Sequence, residues 1–164
     1  MFFPGSTIGN FSREEALEFL GRARELVGPG GGLLIGADLH KNARVLEAAY
    51  NDAAGVTADF NLNVLQRINR ELGGDFNVSA FRHHAFYDVQ RRRIEMHLVS
   101  TRRQEAHVGG RTLHFDAGET IHTENSHKYS VEDFQALARA AGLEPRDCWL
   151  DSAQLFSIHY LETP

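Results

Sequence analysis

A chain of 164 residues, 42% apolar and 24% charged, is long enough to bury one hydrophobic core, which excludes a disordered chain. With 17 basic against 22 acidic residues its net charge of -5 argues against broad contact with phosphate backbones, so no nucleic-acid partner is expected. No run reaches the roughly 18 apolar residues of a membrane span, Met1-Phe2-Phe3-Pro4-Gly5 lacks a basic leader region, and the single Cys148 excludes an internal disulfide and any CxxC zinc signature. A cytoplasmic protein without a membrane partner is the expectation.

Phe2 to Phe11 opens on apolar residues and then brackets Ser-Thr-Ile between Gly5 and Gly9, which reads as the end of a strand and the loop after it. Ser12 and Glu15 stand at capping-box spacing, and Ala16, Leu17, Phe19, Leu20, Ala23, Leu26 and Val27 supply one apolar face. They predict a helix, stopped by Gly28-Pro29. Leu33 to Leu39 is a nearly continuous apolar run with Asp38 near its end, as in strands covered on both faces. Strand, helix and strand imply a right-handed crossover and an α/β sheet with parallel neighbours. The loops at the carboxyl ends of the two strands, Gly5 to Asn10 and Asp38 to Lys41, are then the expected ligand site.

Asn42 to Leu72 reads as two helical pieces, with Tyr50 and Phe60 in the turn between them. A short helix over Val78 to His83 follows. Strands at Phe86 to Val89 and Arg93 to Thr101 flank an arginine turn, and a further strand spans Arg111 to Phe115. Together they predict an antiparallel meander inserted into the α/β frame, with His83, His84, His97, His107 and His114 on its exposed side. Ser130 caps a last helix whose buried face is Phe134, Leu137, Ala138 and Ala141. Cys148 to Leu150 and Leu155 to Leu161 then make an antiparallel hairpin at the sheet edge.

Between the meander and that helix lies Gly118 to Tyr129, too polar for a core strand. If it continues the strand before it, Thr120, His122, Glu124 and Ser126 share one face. Such a row can hydrogen-bond a small polar ligand on several sides; the alternative is a solvated edge strand leading into a helix cap. His122-Thr123-Glu124 with His127 nearby could supply metal ligands, but no HExxH helix or PCxxC accompanies them, and no metal is expected. Gly5 to Gly9 does not have the GxSxG form of a nucleophile elbow. A binding site of carboxylate, hydroxyl, amide and phenol groups remains: Glu124, Ser126, Asn10 and Tyr50. It suits a zwitterionic or imidazole-bearing ligand better than a phosphate.

Several motifs, in order along the chain, carry a family likeness: Phe3-Pro4-Gly5-Ser6-Thr7-Ile8-Gly9-Asn10-Phe11, Pro29-Gly30-Gly31, Ala49-Tyr50-Asn51-Asp52-Ala53-Ala54-Gly55-Val56-Thr57-Ala58 with Phe60-Asn61, Asn69-Arg70-Glu71-Leu72, Arg93-Ile94-Glu95-Met96, and Gly118-Glu119 through Ser126. The chain resembles the histidine-specific Nα-methyltransferases of ergothioneine biosynthesis, which use S-adenosylmethionine to trimethylate the α-amine of histidine to hercynine. The resemblance implies the C-terminal half of a Rossmann-like class I methyltransferase sheet with an inserted antiparallel β substrate-recognition subdomain. Residues 1–60 and 128–164 would form the partial core and residues 61–127 the insertion. It also implies that Asn10 and Tyr50 hold the substrate carboxylate, that Glu124 and Ser126 grip the imidazole, and that Gly5 and Met96 line the pocket. Gly5 and Ser6 would touch the cofactor, most of whose site is absent from this chain. The expected ligand is therefore histidine or a derivative, and the expected partner either a second copy pairing along the Phe2-Phe3 edge or a missing N-terminal half. The competing expectation is a non-catalytic amino-acid-binding or oligomerisation module derived from that family.

Overall fold

The apolar run after Pro29 forms a strand, β2 (Gly32–Asp38), in which Leu33, Ile35 and Ala37 are fully buried. The computed structural model describes residues 1–164, and the chain divides into two units. The first holds Met1–Asn42, Asp88–Arg93 and Asn125–Pro164, and the second holds Ala43–Tyr87 and Ile94–Glu124.

In the first unit β2 runs parallel to β1 (Phe2–Phe3) and antiparallel to β9 (Phe156–Glu162), which pairs in turn with β8 (Glu144–Leu150). The order is β1-β2-β9-β8, so the sheet is mixed. The parallel crossover holds for β1 and β2, but the chain's last hairpin is not wholly at the edge. Only β8 is. β9 lies inside because Ser157, His159 and Leu161, alternate residues on one face, are all fully buried. At the other edge β1 leaves Phe2 66% exposed.

The helix α1 (Arg13–Val27) begins with the predicted capping box: Ser12 Oγ accepts the Glu15 N–H and Glu15 Oε2 accepts the Ser12 N–H at 2.7 Å. Its buried stripe is narrower than the sequence suggests. Ala16, Leu20 and Ala23 face inward, whereas Leu26 is 78% exposed. The helix α4 (Val131–Ala140) is capped by Ser130 and buries Phe134, Leu137 and Ala138. Both stripes, Ile8 and the β2 side chains share one apolar cluster. A side chain at Gly36 would run into the Gly5 carbonyl oxygen, so a glycine there lets the loop after β1 lie against β2.

The second unit carries α2 (Ala43–Tyr50), α3 (Val56–Leu72), β3 (Phe81–Asp88), β4 (Arg93–Ser100), β5 (Gln104–Val108), β6 (Arg111–Phe115) and β7 (Thr120–His127), with the outer ends of β3, β4 and β7 assigned to the first unit. Tyr50 closes α2 and Phe60 lies within α3, so neither occupies the turn predicted for them; that turn is built by Asp52, whose carboxylate accepts the Val56 and Thr57 N–H groups. The Thr57 side chain above all, and then these backbone N–H groups, favour the ionised form and hold the Asp52 carboxyl at about 2. The helix expected over Val78 to His83 is a single 3-10 turn, Val78–Ala80, after which β3 begins five residues earlier than predicted. β5 went unpredicted, and it pairs with β6 as a separate two-stranded hairpin. The polar stretch accordingly does not continue β6. It forms its own strand, β7, in the sheet ordered β3-β4-β7. Packing explains these differences: Phe76, Phe81 and Phe115 meet with ring centroids 5.3 to 6.3 Å apart, and this cluster requires a strand at Phe81 and a turn after Phe115.

Candidate functional site

The two loops singled out by the strand pattern touch each other in the first unit. Ser6 Oγ accepts the Asp38 N–H at 2.8 Å, and Gly9 donates its N–H to the Ser6 carbonyl at 2.8 Å, closing a turn that ends at the exposed Asn10. The end of the polar stretch joins them. Tyr129 N–H donates to the Asp38 carbonyl and His40 N–H to the Tyr129 carbonyl, each at 3.0 Å. Gly9 is close-packed here: a side chain would stand 2.8 Å from the His127 carbonyl oxygen.

The charges at this junction are buried and matched. Lys128, whose side chain is fully buried, places Nζ 2.7 Å from Asp38 Oδ2 and donates to Ser126 Oγ at 2.8 Å, while Asp38 Oδ1 also binds Lys41. An ammonium without water is stable only with such partners. Burial depresses the His40 and His127 imidazoles, assisted by the Arg92 and Arg93 charges respectively, and pushes the Tyr129 phenol up to about 12. The rings around the charged triad are therefore neutral at physiological pH. Gly5 lies against Gly36, Asn10 sits at the exposed end of the turn, and Ser6 and Ser126 belong to one junction. Sequence reasoning missed its centre, Lys128, although Ser126 and Lys128 stand two apart on one strand face, and it named Asp38 only as the start of a loop.

Tyr50, Met96 and Glu124 belong to the second unit. Met96 is 3% exposed and Tyr50 packs against its cluster with Leu46, Ala85 and Ile94, so the structure brings these two predicted residues together. The Tyr50 carbonyl accepts from His83 Nε2 at 2.8 Å, so His83 Nδ1 is the nitrogen that accepts from Asn61, at 3.0 Å. His83 is therefore half-buried and structural rather than exposed as expected, and His97 is half-buried as well; His84, His107 and His114 are exposed. Thr123 Oγ1 donates to the Met96 carbonyl at 3.0 Å, fastening β7 beside β4 and leaving the next residue, Glu124, half-buried. Asn61 and His83 carried no signal beyond their residue types.

No helix is long and apolar enough to cross a membrane. Residues 1–163 match the family described as histidine-specific, S-adenosylmethionine-dependent methyltransferase. A histidine N-alpha-methyltransferase of Mycobacterium tuberculosis is 45% identical over 95% of this chain, and ergothioneine biosynthesis protein 1 of Neurospora crassa is 34% identical over 96%. The chain spans 49% of the first and 18% of the second, so it covers about half the length of the bacterial relative. The methyltransferase CcbJ of Streptomyces caelestis superposes over 99% of this chain and 59% of its own with a TM-score of 0.52 at 14% identity, a likeness of fold. The match along nearly the whole sequence, on a Rossmann-like frame, places this chain in the histidine-specific, S-adenosylmethionine-dependent methyltransferase family.

Proposed function

We propose that this chain supplies the amino-acid-binding half of an enzyme that methylates the α-amine of histidine. The observation that carries the reading is the family match over residues 1–163, which includes every residue of the expected substrate set. In this reading Asn10 and Tyr50 hold the carboxylate of histidine, Glu124 and Ser126 its imidazole, and Gly5 and Met96 line the pocket. Methyl transfer to an amine needs a neutral nitrogen lone pair held in line, so positioning supplies most of the acceleration. Lys128 orients Ser126 Oγ by donating to it, and in this reading the serine hydroxyl meets an imidazole nitrogen of the substrate. Glu124 accepts the other imidazole N–H, and a side chain without one would leave the carboxylate unmatched.

The family is S-adenosylmethionine-dependent, but the residues of these loops do not fit that cofactor by themselves. The Asp38 carboxylate is taken by Lys41 and Lys128, and Ser6 Oγ by the Asp38 N–H. The Asp38 carboxylate is not left to hold a ribose, whereas Ser6 keeps its hydroxyl hydrogen to donate, and we assign most of the cofactor binding to the part of the family's length that this chain does not span. β1, at the sheet edge, is the natural place for that part, or for a second copy, to add a strand. Cytoplasmic residence suits the single free Cys148.

Mixing this chain with the N-terminal half of the mycobacterial relative, histidine and S-adenosylmethionine tests the reading. Mass spectrometry should find histidine carrying added methyl groups, and Glu124→Gln or Ser126→Ala should reduce the yield at least tenfold. Histidine alone should raise the melting temperature of the chain. Thermal stabilisation without methylation would replace the enzyme by a binding module, and neither response would overturn both.

A further inference from the structure

The second unit holds a group of side chains that the methyltransferase reading does not use. Glu95 and His97 stand two apart on β4, and His122 lies on the neighbouring strand β7. One potential ligand atom from each lies within 4.8 Å of the other two. We propose that Glu95, His97 and His122 bind a divalent first-row transition cation, with zinc the best fit to two imidazoles and one carboxylate.

The ligand types and spacing agree with that chemistry. His97 Nε2 is 3.2 Å from Glu95 Oε2. Two ligands on a tetrahedral ion with bonds of ~2.0–2.1 Å stand ~3.3 Å apart, so this pair already spans one edge of the polyhedron. His122, the exposed member of the group, offers its ligand atom within 4.8 Å of the other two. Its tautomer is suitable. His122 Nε2 donates to the Glu124 carbonyl at 3.1 Å, which leaves Nδ1 with its lone pair available; an outer hydrogen bond to a carbonyl is the usual support of a metal-binding histidine.

His97 is restrained between two rings. Phe86 stacks on one face with centroids 5.4 Å apart, and His122 on the other at 4.6 Å, with planes only 13° from parallel in the second pair. Parallel imidazoles with their edges side by side can point nitrogens at a common ion. Two further features separate the group from a simple packing ladder. His97 Nε2, the nitrogen that faces Glu95, is only partly exposed to solvent, with the His97 and Glu95 side chains 12% and 8% exposed, so an ion there would be held largely by protein groups. Glu95 is 6% exposed, and a carboxylate so deep is stabilised by a nearby cation. No spacing motif announces the group, because its third member comes from a strand 25 residues away that only the fold makes a neighbour. Water or a ligand atom would complete the coordination, as in sites with three protein ligands.

Equilibrium dialysis of the intact chain against zinc, repeated with cobalt to record the visible bands of a four-coordinate ion, tests the assignment. One equivalent should bind with those bands. His122→Ala, which removes an exposed ring, should weaken binding at least tenfold without lowering the melting temperature of the metal-free chain. Glu95→Gln should do the same if it folds. His114→Ala, an exposed histidine on β6, should have no effect. Binding that survives His122→Ala, or that is lost equally in His114→Ala, or no binding at all, would overturn the proposal.

Discussion

The two units pack their apolar residues in different ways. In the first, thirteen buried apolar residues form one continuous cluster, and the deepest charge, Lys128, is matched at 2.7 Å by Asp38 and at 2.8 Å by Ser126. In the second, the apolar residues split into two clusters, one around Leu65 and Leu98 and one around Leu46 and Met96. Between its helix α3 and the strands runs an open apolar groove of about 690 Å³ that includes Leu65, Ile68, Leu113 and Ile121. Buried side-chain atoms without a hydrogen-bond partner occur in both units, at Asn125, His159 and Thr163 in the first and at His97 and Asn61 in the second, so it is the packing and not the polar matching that separates them. A sheet covered by helices closes one continuous core, whereas short strands and a lone hairpin leave an apolar groove open beside them. The first unit is built to hold a junction still, and the second to receive something.

Phe134→Ala is the sharpest way to press the contrast. It removes a fully buried ring from the continuous cluster and should cost about 3 to 5 kcal/mol, measured by urea unfolding. Leu65→Ala, beside the open groove, should cost less, about 2 to 3 kcal/mol, because its surroundings can collapse. Equal costs would mean that the second unit is as tightly packed as the first. Lys128→Ala should destabilise by about 3 kcal/mol, at the low end for breaking a buried pair because Lys41 remains on Asp38. A loss below 1 kcal/mol would show that the junction is wetter than its geometry.

A smaller effect follows from His159 in the first unit, a fully buried ring stacked against Phe134 and held down to about 4 by burial. An unfolded histidine titrates near 6.5, so between that pH and about 4 the unfolded chain binds the extra proton. Stability is complete above 6.5 and falls as the pH drops through this window. His159→Gln should flatten that part of the stability curve, and an unchanged slope would assign it to other groups. Least of all, Ser12→Ala removes one side of the α1 capping box and should cost about 1 kcal/mol, read from the thermal midpoint.

How much of this was legible depends on the range of the interactions. The capping residues Ser12 and Ser130, the glycine stop at Gly28 and the parallel pair β1 and β2 all rest on neighbours in the chain or on one continuous apolar run, and each was read correctly. Failures came where partners are distant. β5 and the early start of β3 exist because Phe76, Phe81 and Phe115 meet, and nothing local in Gln104 to Val108 requires a strand. Glu124 and Ser126 were singled out by the period of two in the polar stretch, and Asn10 and Tyr50 by their polar chemistry, but their roles in holding a carboxylate or an imidazole came only from likeness to a family.

By itself the sequence determined the α/β class, the capped starts of the first and last helices and the family, because capping, apolar periodicity and long motifs are local and survive without coordinates. Only the tertiary structure decided that Asp38, Lys128 and Ser126 form one buried junction, and that Glu95 and His97 meet His122. Those contacts depend on which strands become neighbours, and strand order is set by the burial of side chains far apart in the chain.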